Sequence, residues 1–138
     1  MYIKRDITRW FLGLSLLLAG STAAALAAQL EKSGPVVCSG EERLTIHNRH
    51  IEAREVGIAA SGSCQIVLED SEVVAGDVGI VTSDRAVVRI EDSRVTGESG
   101  GIHARGESEV SFRNSIITGG VREEDEAKAR NAGGSIVR

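Results

Sequence analysis

Two acidic pairs, Glu69-Asp70 and Glu91-Asp92, stand one interval apart, since 91 − 69 = 22. Carboxylates are hard oxygen donors, and two such pairs brought side by side would suit a weakly held Ca2+ ion. No Asp-rich loop with the spacing of a calcium cage surrounds them. The alternative is that the aspartates bond to turn N–H groups and to asparagine amides while the glutamates face water. A second set is His103, Arg105 and Asp84: a base, a cation and an acid, the types that acid–base work on a polyanion requires. A spacing of two puts His103 and Arg105 on one face of an extended segment, with Ser83 below Arg105 and Asp84 in the adjoining turn. Solvated polar residues are the competing reading, because nothing around them walls off water. His47 and His50 flank Asn48 and lie beside Glu69 and Glu72 of the next copy, which reads as surface ion pairing. Cys38 and Cys64, 64 − 38 = 26 residues apart, have no Cys-x-x-Cys spacing. They pair only if the Ser61-Gly62-Ser63 turn folds back to bring their α-carbons within about 7 Å, so the spacing alone leaves the bridge open.

All of these positions belong to a repeat. LEDSEVVA at 68 and IEDSRVTG at 90 are flanked, one interval further out on each side, by IHNRHIEA at 46 and FRNSIITG at 112. Sliding the chain by 22 aligns Leu44, Ile66, Val88 and Val110; Ile46, Leu68, Ile90 and Phe112; Ile51, Val73, Val95 and Ile117; and Ile58, Ile80 and Ile102. Ala53, Ala75, Gly97 and Gly119 form a small column, and Gly57, Gly79 and Gly101 a glycine one. A partial earlier copy places Val36, Cys38, Ser39 and Gly40 under Ile58, Ala60, Ser61 and Gly62, so the periodic region runs from about residue 35 to 119. Within a copy, apolar and polar residues alternate with period two, and segments of three to five residues are broken by Gly, Asp-Ser or Asn-Ser. That is strand and turn. Repeated in register, it predicts an all-β coil whose turns stack about 4.8 Å apart around a dry core.

Val88-x-Ile90-x-Asp92-Ser93-x-Val95-x-Gly97 followed by Gly101-Ile102 resembles a rung of the right-handed parallel β-helix, the pectin-lyase-like fold. The resemblance implies about four 22-residue rungs over residues 28–121, with Asn48, Asp70, Asp92 and Asn114 in the position where that family stacks an inward asparagine ladder. Sugar-cleaving members use clustered acids with calcium, or paired aspartates with histidine and arginine, on much longer coils that form a cleft. Four rungs leave no such cleft. After Gly119 the pattern stops at a period of 22, where Glu124 falls in the isoleucine column. Residues 122–138, opening REEDEAKAR, read as either a short helix capping the open end, with Glu124/Lys128 and Glu126/Arg130 at i,i+4, or a solvated tail.

At the other end, Lys4, Arg5 and Arg9 precede the apolar run Trp10 to Leu18 and a small-residue stretch with Ala25-Leu26-Ala27, the layout of an export signal over residues 1–27. Ser21 stands where a lipoprotein box needs cysteine. An uncleaved membrane anchor is the minority reading. Without residues 1–27 the charge is 13 − 19 = −6, which gives no electrostatic footprint for nucleic acid or an anionic membrane. Phe112 is then the sole aromatic, so the stacking platforms that sugars favour are absent. The expectation is a secreted or periplasmic, non-catalytic β-helix acting as a structural or interaction module toward a protein or a cell-envelope glycan, with no cofactor. Its open rung edges leave end-to-end stacking of copies as a route to a homo-oligomer. Carbohydrate binding or cleavage by fold analogy, and weak calcium binding, are the alternatives.

Overall fold

The computed structural model describes residues 30–138; the expected export signal lies outside the described residues. Among the described residues, sixteen short strands follow one another with no helix between them. They fall into three parallel sheets, each turn of the coil contributing one strand to every sheet. The first sheet stacks β1 (Glu31–Ser33), β4 (Arg49–Ala53), β7 (Glu72–Ala75), β10 (Arg94–Gly97), β13 (Ile116–Thr118) and β16 (Ser135–Val137). The second stacks β2 (Val36–Cys38), β5 (Val56–Ala60), β8 (Val78–Thr82), β11 (Gly100–Ala104) and β14 (Val121–Glu123). The third stacks β3 (Arg43–His47), β6 (Gln65–Glu69), β9 (Val87–Glu91), β12 (Glu109–Arg113) and β15 (Lys128–Asn131). The parallel solenoid expected from the repeat is the observed architecture.

Register explains the columns. Leu68 pairs with Ile90 and Ile90 with Phe112; Val73 pairs with Val95 and Val95 with Ile117; Ile58 pairs with Ile80 and Ile80 with Ile102. All of these side chains are buried, so each apolar residue packs against its equivalents above and below. The glycine column marks a close approach of the second sheet to side chains of the first. A Cβ on Gly57, Gly79 or Gly101 would lie 2.4, 2.5 and 2.5 Å from the γ-carbons of Val73, Val95 and Ile117.

The C-terminal expectation needs correcting. Residues 122–138 form neither a capping helix nor a tail but the greater part of a fifth turn, β14 to β16. Its period is 19 and not 22: Val121 pairs with Ile102, Ala129 with Val110 and Ile136 with Ile117. The cause is the corner between the first and second sheets. From inward Ile117 to inward Val121 takes 121 − 117 = 4 residues, where the turn before takes 102 − 95 = 7. Gly119 and Gly120, both at positive φ, make that tight corner. The first turn is contracted at the same place, with 36 − 33 = 3 residues from Ser33 to Val36 through Gly34-Pro35.

Candidate functional site

The acidic pairs sit at the corner where the third sheet turns into the first. Asn48, Asp70, Asp92 and Asn114 adopt φ of 53°, 48°, 48° and 50°. They are exposed, and the inward asparagine ladder implied by the resemblance is therefore not what this column forms. Left-handed backbone selects Asn and Asp here, because their short polar side chains tolerate it. The next residue does the inward work. Ser71, Ser93 and Ser115 are buried, and each hydroxyl donates to the carbonyl two residues back, on Glu69, Glu91 and Arg113, at 2.7 to 2.8 Å. Each also accepts a backbone N–H from the turn below: Arg49 N–H to Ser71 at 3.0 Å, Ser71 N–H to Ser93 and Ser93 N–H to Ser115, both at 3.1 Å. This serine ladder closes the corner's hydrogen bonding inside the core. Its sequence signal was three serines in one column beside the Asn/Asp column.

The four candidate metal ligands are drawn to other partners. Glu91 pairs with the Arg113 guanidinium, and the Asn114 amide donates to Asp92. Nδ1 of His47 lies 3.7 Å from Glu69 and 3.7 Å from Asp70. The outward column thus reads His47, Glu69, Glu91, Arg113, with two carboxylates between two potential cations, which relieves the like-charge contact without a bound ion. Among the described residues, no three or more His, Cys, Asp or Glu are arranged to hold a metal.

The second candidate set does not converge. His103 lies on the outer face of β11, half-buried, with Nε2 3.3 Å from Glu124; the same carboxylate oxygen is 3.3 Å from Arg122. His103 Nε2 makes no hydrogen bond in this contact. The depression beside it, about 510 Å³, is lined by Asp77, Glu98, His103, Arg122 and Arg138 but by neither Arg105 nor Asp84. Asp84 stands at the next corner with φ 56°, and its carboxylate accepts the Gly62 N–H at 2.9 Å. Asp125 does the same for Gly106 at 3.2 Å. Gly40, Gly62, Asp84, Gly106 and Asp125 are all left-handed, so this corner too is chosen for conformation, with aspartates tying one turn to the turn below.

A triad that the sequence offered only as surface ion pairing is better organised. His50 Nδ1 is 2.7 Å from Glu72 and its Nε2 is 2.9 Å from Glu52. Both carboxylates are acceptors, so a doubly protonated ring satisfies both contacts. The His50 hydrogen bond and charge, with Lys32 adding to them, hold the Glu52 carboxyl below the usual carboxylate range.

Cys38 and Cys64 are joined, with α-carbons 6.0 Å apart and no exposure. The separation of 26 recurs. Cys38, Ala60 and Thr82 are in register along the second sheet, while Cys64, Ala86 and Ser108 each begin the next side of the coil with the same backbone turn. The equivalent pairs are thus a disulfide, then Ala60 with Ala86, then Thr82 with Ser108, whose hydroxyls lie 2.7 Å apart.

The family model described as "Right handed beta helix region" matches residues 31–137. No curated protein and no solved structure matches the chain.

Proposed function

The chain belongs to the right-handed β-helix family, and on that premise we propose that it is an exported, non-catalytic module whose outer columns serve structure or recognition. One observation carries this reading. The three histidines and Glu91 each face a partner on the neighbouring turn: His47 with Glu69, Glu91 with Arg113, His50 with Glu72, His103 with Glu124. Groups shared out along flat ladders hold a surface together, whereas catalysis needs an acid, a base and a binding group aimed at one point. The disulfide agrees with a destination in an oxidising compartment, secreted or periplasmic.

Incubation of the purified protein with polygalacturonate and related acidic glycans, with and without Ca2+, tests the proposal. No release of unsaturated or reducing ends is expected. Turnover that is lost on His103→Ala would overturn it.

A further inference from the structure

The serine ladder, where the third sheet turns into the first, ends with one donor unused. Arg49, Ser71 and Ser93 each give the backbone N–H to the serine hydroxyl of the following turn. The next hydroxyl would have to stand at Gly134, which precedes Ser135, the partner of Ile116. No serine fits there. A Cβ on Gly134 would lie 2.7 Å from Cδ2 of Phe112 and 2.7 Å from the Ser115 carbonyl oxygen. Phe112 is a ring stacked on Ile46, Leu68 and Ile90, and its extra bulk takes the room that the side chain would need. Among the described residues, the Ser115 N–H therefore meets no acceptor.

This nitrogen follows Asn114, and an asparagine is the residue beside which a free N–H has chemistry. The nitrogen of the next residue can attack the side-chain amide carbon: the N–Cγ bond forms, the nitrogen loses its proton, and ammonia leaves Cγ. Water then opens either carbonyl of the cyclic imide, giving aspartate or isoaspartate. A nitrogen already donating a hydrogen bond must give that bond up first, which slows the attack about tenfold or more. The other two asparagines of the chain carry this brake. After Asn48, the Arg49 N–H is held by Ser71 at 3.0 Å, and after Asn131, the Ala132 N–H is held by the Phe112 carbonyl at 2.9 Å. The Asn131 amide is also occupied, accepting the Gly133 and Gly134 N–H groups at 3.0 and 2.6 Å. Asn114 is exposed, and the residue after it is the one left open.

We propose that Asn114 is a site of spontaneous deamidation, with water as the co-reactant. The change has a structural consequence at once. The Asn114 amide donates to Asp92, so the product replaces a donor with a further carboxylate on a column that already holds Asp70 and Asp92. The inference goes beyond the module reading and does not depend on it.

Peptide mapping by mass spectrometry, on the folded protein held at mildly alkaline pH, tests it. Asn114 is expected to convert to aspartate and isoaspartate about tenfold or more faster than Asn48 and Asn131, and its lead should shrink in urea, where no N–H is held. Phe112→Ile with Gly134→Ser supplies the missing hydroxyl and should slow Asn114 to the level of Asn48. Phe112→Ile alone should leave it fast, and a native β-sheet spectrum checks that both variants fold. Equal conversion of the three asparagines in the folded protein, or an Asn114 that outlasts the others, would overturn the proposal. So would a lead undiminished in urea, or a folded double variant that converts as fast as Phe112→Ile.

Discussion

Among the described residues, the first and last turns each have a neighbouring layer on one side only, and they are finished by different chemistry. The first keeps large inward residues, Val36, Leu44 and Ile46, and ties itself to the second turn through Cys38 and Cys64. The last shrinks its inward set to Val121, Ala127 and Ala129, and Ile136 is left 41 % exposed. It compensates with charge. Arg122, Glu123, Lys128 and Arg130 lie on or beside its edge strands, which discourages another strand from adding there. One end is held by a covalent link and the other is thinned and guarded, so the two should respond to different insults.

Removing the link is the strongest way to probe that contrast. Replacing both cysteines by alanine opens a 26-residue closure and should cost about 3 to 4 kcal/mol in urea unfolding. Hydrogen exchange should rise in β1 to β3 and stay unchanged in β14 to β16; a rise spread evenly over both ends would defeat the comparison. Because Thr82 and Ser108 occupy the equivalent pair two turns on, Thr82→Cys with Ser108→Cys in that background should recover a large part of the loss. Next in size is the serine ladder, shared by the middle turns. Ser93→Ala strands the Ser71 N–H in the core and should cost about 1 to 3 kcal/mol, against almost nothing for outward Ser111→Ala. Equal effects would mean that the ladder is ornamental. At the thin end, Ala129→Val fills part of the layer above Val110 and should stabilise by about 0.5 to 1 kcal/mol, read as a raised midpoint. The same change at Ala60, buried beside the disulfide, should destabilise.

The smallest effect concerns acid. Glu52 has its carboxyl lowered by His50, so this contact contributes above the ordinary carboxylate range and is lost as pH falls through the lowered value. The thermal-midpoint difference between the native chain and Glu52→Gln should therefore narrow toward zero in acid. A difference that widens there would reverse the assigned sign.

What the residues revealed, and what they concealed, follows from the same geometry. Leu68, Ile90 and Phe112 could be stacked on paper because alternation with period two and an unchanging interval together determine both side and level. The Asn48-to-Asn114 column misled because Asn and Asp suit an inward amide stack and a left-handed turn equally well; only φ separates the two. The fifth turn was hidden by a change of interval. Comparison at 22 sets Glu124 against Ile102, whereas Gly119-Gly120 brings Val121 there. Of the candidate site residues, Glu69 with Asp70 and Glu91 with Asp92 were correctly seen as neighbours, and the asparagine amide expected on the aspartates is found from Asn114 to Asp92; Arg113, the partner of Glu91, was missed because it lay one repeat away and depended on which side each strand faced. The set His103, Arg105 and Asp84 failed because Arg105 and Asp84 belong to a corner and not to a strand.

The three central turns keep equal length, matching corners and one shared register, so each is an interchangeable unit that senses only the layers above and below it. Duplicating one block between Ile66 and Val88 should lengthen the rod by a single step and leave both termini as they are. A chain built in this way grows or shortens by copying, and its length is free to drift while its two ends are kept.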